Sequence, residues 1–295
     1  HSPVRAMGAI LYHFLKLKLR LAIAGFSPRL FDYDWRRSVI DLGRALATEV
    51  AHDASPHIQV VAHSMGGLVA RAALALPGGE RIERLVMLGT PNSGSFAPVQ
   101  ALRGTYAVVR KLAALDQMHT AETLASEVYS TFPGLYELLP AEGTTAVDLF
   151  DPAVWPARGP RPEPALLAAA RSSLRGLASA DTRMALIAGY GRPTVTGVRR
   201  SGADFEYLVT RNGDGTVPLA LAELPGVRTW YIREGHSELT TNDVVASAVI
   251  DLLRAGRTQR LSAAPPAPTR AVARICDSAL RRTWQHKVDW HSLST

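Results

Sequence analysis

Apolar positions along this chain alternate between short unbroken runs and runs of helical period. Ile58 to Val61, Leu85 to Leu88 and Met184 to Ala188 are continuous, as strands covered on both faces are. Val39, Leu42, Leu46 and Val50 recur at helical spacing and predict a helix ending near His52 and Asp53. Met65, Leu68, Val69 and the alanines up to Leu76 predict another, stopped by Pro77-Gly78-Gly79. Leu30 to Tyr33, Phe205 to Val209 and Thr229 to Ile232 are expected to complete the strands, and Asp243 to Leu253 to form a helix capped by Thr241 or Asn242. Strand, helix and strand in this order imply an α/β fold, a mostly parallel sheet with right-handed crossovers and helices on both faces.

The rhythm breaks over residues 95–181. Helical stretches near 101–117, 120–130 and 164–180 flank a segment bearing Pro and Trp, Asp151 to Pro156, and no strand pattern occurs. This predicts a helical cap inserted between strands, over the strand C-terminal ends. At the start, residues 1–27 mix a strand period, Leu15 to Leu21, with a helical one through Ile10, Leu11, Phe14 and Leu15; they are expected to form a half-buried element rather than a membrane contact. The main domain then spans 28–260, with a Pro/Ala linker at 261–270 and a basic amphipathic tail at 271–295. In that tail Val272, Ile275, Leu280, Trp284 and Val288 could line one helix face, and docking on the body, membrane contact and a partner all stay open.

Composition narrows this picture. With 295 residues, 47% of them hydrophobic, the chain can bury a full α/β core. Its single cysteine, Cys276, excludes an internal disulfide and suits a reducing compartment or simply a fold that needs no staples. The net charge of +7 is scattered arginine without a basic block or a nucleic-acid motif, so peripheral contact with an anionic membrane is the expected use of it and nucleic acid is not. No run is long enough to span a membrane, and no His, Cys or acidic spacing calls for a metal or cofactor. Because the chain begins at His1, a targeting signal upstream stays open.

The chemistry gathers at Val60-Val61-Ala62-His63-Ser64-Met65-Gly66-Gly67, where a strand turns sharply into a helix. Such a nucleophile elbow holds the Ser64 hydroxyl clear of the sheet edge, and it asks for small residues two before and two after, here Ala62 and Gly66. Gly67 adds clearance for the helix. The Met65 N–H at the helix start would face an oxyanion formed at Ser64, an interaction worth about 3 kcal/mol. A serine needs a base and a carboxylate to orient it, here expected in the order Ser, Asp, His on loops after strands. Asp214, in Asn212-Gly213-Asp214-Gly215-Thr216-Val217-Pro218, and His236, directly after the strand ending at Ile232, fit that order. His63 is assigned to packing and the turn, and His13, His52, His57 and His119 precede the acid and fit no role.

Phe31-Asp32-Tyr33-Asp34-Trp35-Arg36, the elbow, Leu88-Gly89-Thr90-Pro91, Phe132-Pro133-Gly134-Leu135-Tyr136-Glu137-Leu138-Leu139-Pro140 and Gly213 to Pro218 resemble the lecithin:cholesterol acyltransferase family in its bacterial, lipase-like form. The resemblance runs from about residue 28 to 255. It implies an α/β-hydrolase fold and acyl-ester chemistry on lipids with Ser64, Asp214 and His236 as the triad; the compartment stays open, with a soluble or peripheral protein of a bacterial cytoplasm the expectation. Such families carry an early Gly-rich loop that supplies a second oxyanion N–H. None is evident before Phe26, so either it lies upstream of His1 or the oxyanion hole is built differently. Release of the acyl group to water, transfer to an alcohol, and a non-catalytic binding module of this fold all remain open.

Overall fold

Runs of apolar residues make good parallel strands only where helices cover both sheet faces, and this chain supplies helices for both. The computed structural model describes residues 11–116 and 118–282. Helices α1 (Leu11–Ile23) and α2 (Val39–His52) lead to strand β1 (Ile58–His63), helix α3 (Met65–Leu74) and strand β2 (Ile82–Leu88). An insertion follows, with helices α4 (Ala97–Leu102), α5 (Ala107–Leu115), α6 (Ala121–Thr123), α7 (Pro133–Tyr136) and α8 (Pro164–Arg175). The chain continues through β3 (Met184–Gly189), β4 (Thr194–Ser201), β5 (Asp204–Thr210), α9 (Leu219–Ala222) and β6 (Thr229–Ile232). It closes with α10 (Asp243–Ala255), β7 (Ala273–Cys276) and α11 (Asp277–Arg282).

Strands β1, β2, β3 and β6 lie side by side in that order, all parallel. On one face Val39, Leu42 and Leu46 of α2 and Leu68 and Val69 of α3 pack on Leu85, Met87 and Leu186. On the other, Leu17 and Leu21 of α1 join Val249 and Leu252 of α10 over Val86, Leu88, Ile187 and Trp230. Helix α2 starts at Ser38, whose hydroxyl accepts from the Ile40 N–H and donates to Glu137 at 2.8 Å. The Glu137 carboxylate also accepts the Val39 N–H at 2.5 Å, so a residue of the insertion satisfies a free donor at the start of a body helix. Burial raises the pKa of this carboxyl, against the pull of those hydrogen bonds.

Three expectations are corrected. Leu30 to Tyr33 is irregular, because no backbone hydrogen bond joins it to β1 among the described residues; Phe31 and Tyr33 pack on the core instead. The strand at 205–209 does not extend the parallel sheet. As β5 it lies between β4, which the sequence reading missed, and β7 in a separate antiparallel sheet. The tail is therefore not one helix: the free edge of β5 takes Ala273–Cys276 as a strand, and only Asp277–Arg282 is helical. Trp284 and Val288 lie outside the described residues. The insertion is helical as expected, but its core is shared with the antiparallel sheet, where Phe96, Tyr136 and Trp155 meet Val198, Phe205 and Tyr207.

Residues 1–10 also lie outside the description. From Leu11 onward the N-terminal stretch is helical, burying Leu17 and Leu21, and Lys16 and Arg20 pair with Asp243 at the start of α10. Among the described residues no helix is long and apolar enough to cross a membrane.

Candidate active site

Ser64 sits between β1 and α3 with φ +54° and ψ −130°, the one non-glycine residue at positive φ among those described. A conformation of this kind costs on the order of 1–3 kcal/mol and persists only where the surroundings impose it. Here the Ser64 N–H donates to the Leu88 carbonyl at 2.9 Å and its own carbonyl accepts from the Gly67 N–H at 3.0 Å. Met65 is the first residue of α3, so its N–H has no acceptor within the helix. Space at the elbow is distributed differently from the expectation. A Cβ on Gly66 would find ordinary contacts, 3.4 Å from the Tyr33 hydroxyl and 3.8 Å from the Ala62 methyl. On Gly67 it would lie 2.0 Å from Thr90 Oγ1 and 2.5 Å from Thr90 Cγ2, so Gly67 is the residue that the close approach of α3 requires.

Asp214 and His236 come to this serine from loops far along the chain. Asp214 Oδ1 accepts the N–H groups of Thr216 and Val217, at 2.9 and 2.8 Å, and Oδ2 lies 2.8 Å from His236 Nδ1. His236 Nε2 lies 2.9 Å from Ser64 Oγ. Since the carboxylate only accepts, Nδ1 carries the hydrogen and Nε2 is free to accept from the serine. The Asp214 side chain is 1% exposed and that of His236 13%, which leaves their hydrogen bond in a medium less polar than water. Thr194 in β4 steadies the acid turn, its hydroxyl accepting the Gly215 N–H at 2.8 Å.

Three supporting residues were not read from the sequence. Gly89, at φ +55°, ends β2 so close to the pair that a Cβ there would lie 3.1 Å from both Asp214 Oδ2 and His236 Nδ1. Its place in Leu88-Gly89-Thr90-Pro91 was the available signal. Glu234 is bound by Arg192, Asn242 and the Gly235 N–H, which ties the His236 loop to the start of α10. Burial opposes the charge of Glu234, yet these hydrogen bonds hold its pKa low. His63, expected to pack and shape the turn, donates from Nε2 to the His236 carbonyl at 2.9 Å.

A cavity of about 500 Å³ runs along β1, the edge strand of the parallel sheet among the described residues, as far as His63 and Gly66, walled by Phe14, Phe31, Val60 and Val69 among others. Its lining is largely apolar. Before β1 the described chain holds α1, an irregular stretch and α2, with no strand leading into a Gly-rich loop. Among the described residues no three His, Cys, Asp or Glu side chains are grouped as a metal site.

Residues 39–131 match the family model described as a PGAP1-like alpha/beta domain. Among solved structures, the mature form of the Bacillus licheniformis lipase BlEst2 aligns at 15% identity over 81% of this chain and 83% of its own, with a TM-score of 0.49. Its propeptide form aligns at 15% identity over 86% of this chain and 48% of its own, TM-score 0.49. The Tle4–Tli4 complex contributes a chain at 16% identity, 76% and 68% coverage and a TM-score of 0.45. No curated protein matches. The described chain is an α/β fold, a parallel sheet covered on both faces by helices, with a serine at the turn from β1 to α3 inside the stretch that matches the PGAP1-like alpha/beta domain model.

Proposed function

We propose that the protein is a serine esterase or lipase acting on acyl esters of lipids through an acyl-Ser64 intermediate. His236 Nε2 takes the Ser64 proton as Oγ attacks the ester carbonyl, and Asp214 orients the ring and offsets the charge that develops on it. The Met65 N–H, aided by a second donor, holds the oxyanion. Collapse expels the alcohol, which receives the proton from His236, and leaves the acyl group on Ser64. A water molecule, deprotonated by His236, then attacks and releases the acid. An alcohol in place of water would make the same intermediate an acyl donor, and the helical insertion is proposed as the cap that sets the balance by excluding water.

The single observation that carries this reading is the unbroken hydrogen-bond chain from Asp214 through His236 to Ser64, at 2.8 and 2.9 Å. The apolar cavity beside the elbow supports a greasy acyl group, and the net charge of +7 supports peripheral contact with anionic lipid. The test is labelling by a fluorophosphonate probe, with Ser64→Ala and His236→Ala alongside. Label on the wild type alone is expected, followed by turnover on ester and lipid panels; a folded wild type that takes no label would sink the reading.

A further inference from the structure

His63 is the last residue of β1 and the immediate neighbour of Ser64, so its side chain hangs from the same rigid strand as the nucleophile. Its ring faces that of His236, centroids 4.7 Å apart and planes inclined at 42°, with the Phe14 ring edge-on at 6.1 Å. Nε2 lies 2.9 Å from the His236 carbonyl oxygen. A carbonyl only accepts, so Nε2 bears hydrogen. On its other side the His236 peptide donates its N–H to the Asp214 carbonyl, also at 2.9 Å. The backbone of His236 is thus held from two directions, once by the acid's loop and once by the nucleophile's strand.

We infer that His63 is a positioning residue for the proposed reaction, clamping the His236 backbone to the strand that carries Ser64 so that base and nucleophile keep their distance. The inference rests on the triad reading above. The need for such a clamp is general, because a proton transfer between positioned groups loses rate steeply when they drift by a fraction of an ångström. His236 sits on a loop, and no strand pairing fixes it beyond Ile232. His63 adds a tie to the nucleophile's strand, beside those that Glu234 makes to α10 and the Asp214 carbonyl makes to the acid's loop.

The clamp also has to stay uncharged, since a cation stacked on His236 would oppose the imidazolium that forms in each step. The groups facing His63 are His236, Asp214 and His13. Burial first, then His236, pushes the His63 pKa down to about 4, while its hydrogen bond and Asp214 act in the other direction. The ring is neutral wherever a histidine base can work.

A packing role and a clamping role part company on substitution. His63→Gln places an amide nitrogen where Nε2 was and keeps the donor. His63→Leu fills a similar space without one, and His63→Asn is polar but too short to reach. The rate of fluorophosphonate labelling, kcat and KM on a short-chain p-nitrophenyl ester, and Tm would be measured for each. The Leu and Asn variants are expected to label and turn over roughly tenfold or more slowly with KM little changed, and the Gln variant to stay within about threefold of wild type. Should Leu fail to fold, the comparison of Gln with Asn decides alone. Leu or Asn as fast as the wild type, or Gln as slow as either, overturns the clamp and leaves the triad standing. A wild type that takes no label overturns the triad reading and this inference with it.

Discussion

Arg103 Nε donates to Asp277 Oδ2 at 2.9 Å across 174 residues of sequence, and both side chains are fully buried. The pair has several further partners. Asp277 Oδ1 accepts from the Tyr207 hydroxyl at 2.8 Å and Oδ2 from the Phe205 N–H at 3.3 Å, while Arg103 also donates to the carbonyls of Pro156, Arg158 and Pro160. It therefore joins the insertion, the antiparallel sheet and the tail at one point. Burial and the facing carboxylate raise the Tyr207 pKa well above that of an ordinary phenol.

Removing one partner of such a pair leaves the other charged and buried without its main counter-charge, although Asp277 keeps Tyr207 and a more distant Arg281 and Arg103 keeps its carbonyls. Arg103→Leu or Asp277→Leu is expected to cost about 3–5 kcal/mol in urea unfolding, and the double variant less than the sum. Additive losses would mean that the two residues act independently.

The elbow gives a second test, because the two adjacent glycines differ in what they touch. Gly66→Ala meets only ordinary contacts and is expected to fold and label normally. Gly67→Ala drives a methyl into Thr90 and is expected to lose about 1–3 kcal/mol, partly recovered by Thr90→Ser. Thermal melts of the three variants check the order.

Gly89→Ala addresses the pair from behind. At φ +55° any side chain is strained, and the new methyl would also press on Leu239, Asp214 and His236. The labelling rate at Ser64 is expected to fall at least tenfold in protein that still folds. An unchanged rate would show that the pair tolerates displacement.

His63 makes stability depend on pH. Its pKa falls from 6.5 to about 4 on folding, so between those values the unfolded chain binds a proton that the folded chain refuses. This contribution is complete above about pH 6.5 and is lost progressively as pH drops toward 4. Unfolding free energies of wild type and His63→Gln, measured across that window, should converge on the acid side if the wild type is the more stable at neutral pH. Parallel curves would count against the depressed pKa.

Much of the site was legible before any coordinates. A serine after an apolar strand and a histidine just past the last parallel strand each sit at the C-terminus of a parallel strand, and a parallel sheet gathers such ends on one edge, whereas Asp214 reaches them from the turn after β5 of the antiparallel sheet. Legibility failed where a residue acts through a partner distant in sequence. Nothing local marks Glu137 as the acceptor for the first N–H of α2, or Gly67 rather than Gly66 as the tight position, since both depend on what another segment places opposite.

By itself the sequence determined the parallel strands, the helices that cover them and the order of the three candidate catalytic residues, because unbroken apolar runs, helical periods and turn residues are local properties of the chain. Only the tertiary structure decided that Leu30 to Tyr33 stays irregular while Ala273 to Cys276 becomes a strand. Strand formation is settled by whether a free edge lies alongside, and the edge of β5 reaches the second segment but no backbone partner reaches the first. The same holds for His63, whose contact with the His236 carbonyl exists because the end of β1 and the loop after β6 converge on one edge of the sheet.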